Sequence, residues 1–271
     1  MRRFLLLVLL AAAGALLHML VMARSAPVER RATIGLADWP AGARPIRVAL
    51  VSDLHLGNAS TNEARLARIA DRVSAARPDL ILLAGDFIAG ARLASVPELA
   101  RPLSHFHAPL GVVAVLGNHD WFVRATPVRR ELERIGITVV ENGAIERGPL
   151  ALGLLDDEAT GHANPREVRN ALAGLPGARV IVGHTPDNAP DFAFGLVLAG
   201  HTHCGQVVLP LIGAPILMSR WGERYRCGLV REGPRIVVIT AGTGTSNLPF
   251  RLGAPPDWWL LTLGPKSAAA R

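Results

Sequence analysis

Nineteen positions near the start of the chain, Phe4 to Met22, carry no charge and are apolar almost throughout, His18 being the main exception. A helix of that length spans roughly 28 Å at about 1.5 Å per residue, close to a bilayer core. Beyond it the apolar positions fall into short runs separated by polar and glycine-containing stretches. Ile46-Arg-Val-Ala-Leu-Val51, Leu80-Ile-Leu-Leu-Ala84 and Val112-Val-Ala-Val-Leu116 have the length and composition of buried strands. Val139-Val140, Leu150-Ala-Leu-Gly-Leu-Leu155, Val180-Ile-Val182, Leu196-Val-Leu198, Val207-Val-Leu209 and Ile236-Val-Val-Ile239 are further strand candidates. Between the early runs the period becomes helical. Ser60-Thr-Asn-Glu63 has capping-box spacing, and Leu66, Ile69, Ala70 and Val73 then share one helical face. Thr126-Pro127 reads as an N-cap with proline at the first helical position and Gly136 as the stop, and Asn164-Pro165 opens another helix. Strands alternate with helices in the first half and crowd together in the second. This order predicts an α/β layered fold with largely mixed sheets.

The pattern divides the chain into a membrane anchor or signal segment at 1–24, a tether at 25–44, one domain at 45–265 and a C-terminal tail at 266–271. Pro27, Gly35, Pro40 and Gly42 mark the tether. The apolar span exceeds the roughly 7–15 residues of a signal-peptide core, and Ala23-Arg24-Ser25 is a poor cleavage triplet, so an uncleaved anchor is preferred. Arginines flank both ends of the span, which leaves the side of the membrane open. The formal charge of +7 comes almost wholly from arginine, Lys266 being the only lysine. It suits a solvated surface, or attraction to anionic lipid or a phosphorylated substrate. No dense basic run with interleaved aromatics is present, so nucleic-acid binding is not expected. Two cysteines, Cys204 and Cys227, exclude a disulfide framework and leave open one bridge or two buried thiols.

In open α/β sheets ligands sit beyond the carboxyl ends of strands. Five apolar runs here end in polar clusters: Asp53-Leu-His55, Gly85-Asp86, Gly117-Asn-His-Asp120, Gly183-His184 and Gly200-His-Thr-His203. In extended chain, residues two apart face one side, so Asp53 and His55, or His201 and His203, can reach a common point. Asp53, His55, Asp86, Asn118, His184, His201 and His203 are too many donors for one tetrahedral ion. They suit two ions sharing a carboxylate, an arrangement that clamps the attacking and leaving oxygens of displacement at phosphorus.

D-x-H, G-D, G-N-H-D, G-H and G-H-x-H, in that order, resemble the calcineurin-like metallophosphoesterases over about residues 46–265. The resemblance implies a two-sheet mixed β-sandwich flanked by helices, here with an N-terminal transmembrane helix. It implies one metal held by Asp53, His55, Asp86 and His203, and a second by Asp86, Asn118, His184 and His201. His119 would be the general acid and Asp120 would orient its imidazole. The donor set fits Mn, Fe or Zn. The closest resemblance is to the family's membrane-associated bacterial branch, through Gly200-His-Thr-His-Cys-Gly-Gln206 with Pro210 after it, and through the tail from Gly242 to Leu263. Cys204 stands where that branch has glycine, as a small neutral filler. A bacterial cell membrane location with a single-pass anchor follows.

The expected activity is metal-dependent phosphodiester hydrolysis near the membrane, with metal-activated hydroxide attacking phosphorus in a phosphorylated small molecule or lipid-linked substrate. Pyrophosphate hydrolysis of the UDP-2,3-diacylglucosamine type is an alternative, weakened because residues 121–183 leave little room for a cap. A non-catalytic membrane-tethered scaffold is the alternative of another class. Arg220, with Arg224 and Arg226, follows the histidine loop and is a candidate for binding phosphate. His105-Phe-His107 precedes its strand and reads as a loop feature. Asp156-Asp157 reads as a turn with a possible acidic role near the site. Trp221, Trp258 and Trp259 read as core or membrane-interface aromatics.

Overall fold

Two six-stranded sheets face each other across an apolar layer. The computed structural model describes residues 1–90 and 92–266 of the 271-residue chain. The first sheet contains β1 (Val28–Leu36), β2 (Ile46–Val51), β3 (Leu80–Ala84), β4 (Val112–Val115), β5 (Thr138–Val139) and the last strand, β12 (Asp257–Pro265), in the order β1-β12-β2-β3-β4-β5. The second contains β6 (Gly143–Arg147), β7 (Leu150–Leu154), β8 (Ala178–Val182), β9 (Gly195–Ala199), β10 (Gly228–Glu232) and β11 (Arg235–Ile239), in the order β10-β11-β9-β8-β7-β6. Strands β2 to β5 run parallel, as do β7, β8, β9 and β11. Antiparallel pairs β12 with β2, β6 with β7 and β10 with β11 make both sheets mixed.

The apolar runs are continuous because the central strands are covered on both faces. Val48, Leu50, Leu82 and Val113 meet Leu152, Val180 and Leu198 between the sheets. Outside the first sheet, Ile81 and Leu83 pack against Leu66, Ile69 and Val73 of α2 (Glu63–Ala75). The same cluster takes in Leu103 of the short α3 (Ala100–Leu103) and Val128 and Leu132 of α5 (Ala125–Arg134). Outside the second sheet, Ala151, Ile181 and Val197 pack against Val168 and Leu172 of α6 (Pro165–Ala173). Each such side chain contributes about 1.5–3 kcal/mol on full burial.

Local details differ from the sequence reading. Asn62, not Ser60, caps α2, its Oδ1 accepting from Arg65 N at 2.9 Å. Helix α5 begins at Ala125, not after Thr126. Pro127 still lies in its first turn, where a missing N–H costs little. Asn164 does cap α6. Segment 25–44 is not simply a tether, because it supplies β1, paired along its whole length with β12. Val207–Leu209 is not a strand. It makes only isolated bridges, to Leu252, Gly253 and Gly213.

Helix α1 (Arg2–Arg24) is the one helix among the described residues long and apolar enough to cross a membrane. Its most apolar window has a mean hydropathy of 2.6 and no buried residue. Only its last turns touch the domain, where Ala23 is buried and Arg251 N donates to Met19 O at 3.1 Å.

Candidate metal centre

The five polar clusters follow the carboxyl ends of β2, β3, β4, β8 and β9, so both sheets aim side chains into one place. They do not get there by extended alternation. Asp53, His55, Asp86, His201 and His203 all have φ between 48° and 67°. Left-handed backbone at non-glycine residues costs of order 1–3 kcal/mol each and concentrates at functional sites. Each reversal swings a side chain inward just past its strand. Close backbone approach completes the turn. A Cβ on Gly117 would lie 2.6 Å from Asp86 N, and one on Gly85, at φ +81°, would lie 2.7 Å from Gly117 N. Gly117 precedes α4 (Asn118–Phe122), a short helix that carries Asn118, His119 and Asp120.

The donors form two groups sharing one atom. In the first, His203 Nε2 lies 3.2 Å from His55 Nε2 and 3.4 Å from Asp53 Oδ1. In the second, His184 Nε2 lies 3.1 Å from Asn118 Oδ1 and 3.1 Å from His201 Nδ1. Asp86 Oδ2 lies 3.5 Å from His55 Nε2 and 3.3 Å from His184 Nε2, and so belongs to both. Two donors about 2.1 Å from a common ion sit about 3.0 Å apart at a right angle and about 3.4 Å apart at the tetrahedral angle. The observed separations fall in or near that interval. Asp53 Oδ1 is buried and accepts no hydrogen bond, as expected of an oxygen kept for a cation. All seven side chains are brought together, six of them in groups with the spacing of a metal site, and His119 joins His55 and Asp86 in a further such group.

Backbone contacts aim these atoms. His184 Nδ1 donates to Ala84 O at 2.7 Å, which leaves Nε2 as the free lone pair. Asp53 Oδ2 accepts from His201 N, and Asp86 Oδ1 accepts from His119 N at 2.9 Å, so each aspartate turns its other oxygen inward. Behind His203 stands Arg251, wholly buried, which donates to the carbonyls of Ala241, Gly244 and Ala254 and presents Nη2 to His203 Nδ1 at 3.2 Å. Sequence reasoning gave this residue no role. A lone arginine among the apolar and small residues of Leu248-Pro-Phe-Arg-Leu-Gly-Ala254 was the available signal.

Burial without countercharge dominates the electrostatics. It lowers His55 to about 3 and His201 to about 4, and pushes Asp53 up to about 7. Burial also drives His203 well below its usual value. Asp86 and His184 form the exception. Burial opposes both charges, but their mutual attraction holds Asp86 low and His184 high. Neutral imidazoles and inward carboxylates are the forms that ligate cations.

His119 lies at the edge of the cluster, its ring 4.8 Å from that of His55 and edge-on to it. Its Nδ1 faces Gly90 O at 3.3 Å, so the orienting partner is a backbone carbonyl. Asp120 does not orient His119, contrary to the sequence reading. Its side chain folds back along α4 and accepts from Gly117 N, Asp86 N and Phe87 N, each at 2.9 Å, and from Ile88 N at 3.3 Å. At the third position of a helix a carboxylate reaches back to the turn that begins it. Burial, then the Asp86 charge, pushes this carboxyl up to about 7, against the pull of its N–H donors.

Arg220 is not brought to the cluster as a free phosphate binder. Its guanidinium is held by Glu158 at 2.8 Å and by Asp187 O at 2.9 Å. Arg224 and Arg226 are paired with Glu232 and Glu223. Asp156 accepts from Trp121 Nε1, Asp157 caps the following turn through Thr160, and His105 pairs with Asp71. Trp258 and Trp259 are buried, whereas Trp221 is partly exposed. Cys204 is not a free filler. It is bonded to Cys227 across 4.7 Å between Cα atoms, tying the turn after His203 to the start of β10.

The family model for calcineurin-like phosphoesterases matches residues 46–205. The chain is 30% identical over 241 residues to the metallophosphoesterase YkuE of Bacillus subtilis, covering 85% of this chain and 83% of that protein. It is also 30% identical over 241 residues to the phosphodiesterase YaeI of Escherichia coli, covering 84% and 86% respectively. Over a shorter stretch of 87 residues it is 40% identical to the UDP-2,3-diacylglucosamine pyrophosphatase LpxG of Chlamydia trachomatis, covering 32% of this chain and 25% of that one. With both donor groups assembled past the carboxyl ends of strands from both sheets and this likeness spanning most of its length, the chain belongs to the calcineurin-like phosphoesterases and is a metal-dependent phosphoester hydrolase.

Proposed function

We propose that this chain is a phosphodiesterase held at a membrane by α1. Asp53, His55, Asp86 and His203 hold one metal ion; Asp86, Asn118, His184 and His201 hold the other. The observation that carries the reading is the position of Asp86 Oδ2, within 3.5 Å of a ring nitrogen from each donor group. Bound there, a metal pair supplies positive charge for a phosphoryl group and lowers the pKa of water. The chain's own residues do the rest. Asp86 and Asp53 fix the donors, and the Gly117 turn sets Asn118 beside His184. With Nδ1–H held toward Gly90 O, His119 in its imidazolium form can give its Nε2 proton to the departing oxygen and is left as the neutral Nδ1–H tautomer.

The phosphodiesterase reading draws on the likeness to YaeI over most of both chains. Pyrophosphate hydrolysis like that named for LpxG is a second reading, favoured by the 40% identity over 87 residues. The test uses the full chain in detergent. With Mn²⁺ it hydrolyses bis-p-nitrophenyl phosphate, and chelation abolishes turnover. His119→Ala keeps both metals by elemental analysis and loses about 10²–10⁴ in kcat toward esters with poor leaving groups. Absence of turnover with Mn, Fe and Zn alike refutes the reading, and loss of metal from His119→Ala refutes that residue's role.

A further inference from the structure

The end of the domain that carries the metal centre also carries α1, and it is surfaced unlike the rest. Strand β12 starts beside the carboxyl end of β2, and β1 runs parallel to it, so the chain leaves α1 at the same end as Asp53. Helix α1 is fixed there. Arg24 donates to Ala59 O, Arg65 donates to Ser25 O at 3.0 Å, and Arg251 N donates to Met19 O. A bilayer crossed by Phe4 to Met22 therefore ends level with the loops around residues 59 and 251.

Two features lie at that level. The loop after His203 runs Val207-Val-Leu-Pro-Leu-Ile-Gly-Ala-Pro-Ile-Leu-Met218 without one polar side chain. Leu211 is fully exposed, Ile212 is 75% exposed and Ile216 is 68% exposed, with Leu248 beside them at 54%. A contiguous exposed apolar surface of this kind marks a protein or membrane contact. Between the loop and residues 246–250 runs a groove of about 180 Å³, lined by Val207, Ile216, Met218, Leu248 and Phe250 and ending at Thr202 and His203. On the other side of the α1 exit, a hollow of about 240 Å³ is lined by Arg24, Arg65, Arg68 and Arg72. Among the described residues, Arg24, Arg68 and Arg72 make no ion pair. An exposed apolar loop joined to residue 252 by Val208 N, with arginines that make no ion pair around the exit of α1, offers the two chemistries of an anionic leaflet, hydrocarbon and phosphate.

We propose that the loop 207–218 enters the leaflet, and that the substrate is a membrane lipid phosphoester whose hydrocarbon lies in the groove while its phosphoester reaches the Asp–His cluster. This rests on the hydrolase reading above and adds the substrate class and the route of entry.

The test uses the full chain in phosphatidylglycerol-containing bilayers, with two readouts. In the first, tryptophan is placed by Ile212→Trp or by Phe194→Trp, the latter at the amino end of β9 and so at the far end of the sheet. Brominated lipid is expected to quench at least half of the emission added at 212 and almost none of that added at 194. In the second, hexadecyl p-nitrophenyl phosphate is compared with bis-p-nitrophenyl phosphate. The long-chain ester is expected to have the higher kcat/KM, and the ratio is expected to fall at least tenfold in Met218→Asp. Equal quenching at both positions overturns the proposal. So does an unchanged ratio, or a dimer in detergent that Ile212→Asp dissociates while the ratio stays as it was. Failure of the wild type to turn over either ester refutes the hydrolase reading instead, and quenching at 212 then decides the membrane contact by itself.

Discussion

Asp120→Asn separates two accounts of the same side chain. If Asp120 orients the His119 imidazole, the amide should leave the fold and the metals intact and change only proton transfer. The hydrogen bonds say otherwise. Oδ1 accepts from Phe87 N and Ile88 N, and Oδ2 accepts from Asp86 N and Gly117 N. An amide has one acceptor oxygen, so either rotamer turns an NH₂ toward two backbone donors. Hydrogen bonds to a charged group are worth about 1.5–3 kcal/mol each, so at a pH above the carboxyl's value of about 7, where it is ionised, losing two costs about 3–6 kcal/mol. Removing a buried charge near Asp86 relieves some repulsion, which favours the lower figure.

About 3 kcal/mol is a large share of the ~5–15 kcal/mol that holds a typical protein folded. At an m-value of about 3 kcal/mol per molar, it moves the urea midpoint down by about 1 M. The loosened backbone is that of Asp86, whose φ of 57° needs such anchoring, and Asp86 is the carboxylate common to both donor groups. Asp120→Asn should therefore lose metal as well as stability. The assays are urea unfolding followed by circular dichroism, and metal content after gel filtration. A variant with the wild-type midpoint, full metal content and only an altered alkaline limb of the kcat profile, where a general acid loses its proton, would refute this account and restore the orienting one.

Two further outcomes follow from groups that ligate no metal. The Cys204–Cys227 bridge closes a separation of 23 residues. Chain entropy assigns about 3.4 kcal/mol to such a loop, so Cys227→Ser should lower the melting temperature by roughly 7–14 °C. A melting temperature unaffected by the substitution or by reductant would show that the bridge is not formed. Glu232 is held down to about 2, chiefly by the hydrogen bond from Arg224 and also by Tyr225 and Arg235. A depressed folded pKa gives stability that is present above the unfolded value of 4.5 and lost as pH falls toward 2. Glu232→Gln should be less stable than wild type at pH 7 and show a shallower decline between pH 4.5 and 2.5. An equally steep decline would place the acid-sensitive group elsewhere.

The site was legible because its side chains follow apolar runs that any α/β sheet must bury, and the five runs named from sequence became β2, β3, β4, β8 and β9. What the pattern hid were the edges. Strands β1, β6 and β10 each stand at the margin of a sheet, and their residues are mostly half-buried or exposed. Such strands need no apolar run, and Val28-Glu-Arg-Arg31 looks like a tether until β12 is placed beside it. The role of Asp120 was hidden for a related reason. A carboxylate next to a histidine in sequence suggests a dyad, but the left-handed turn at Asp86 brings three backbone donors to it and Gly117 N supplies a fourth. Val207–Leu209 failed in the opposite sense. Its apolar, β-branched composition suits a strand, yet among the described residues it makes only isolated bridges and the loop beyond stays exposed. Apolar sequence that neither pairs nor buries itself must be kept apolar by something other than folding. At this end of the molecule, next to the exit of α1, a bilayer can supply the missing burial.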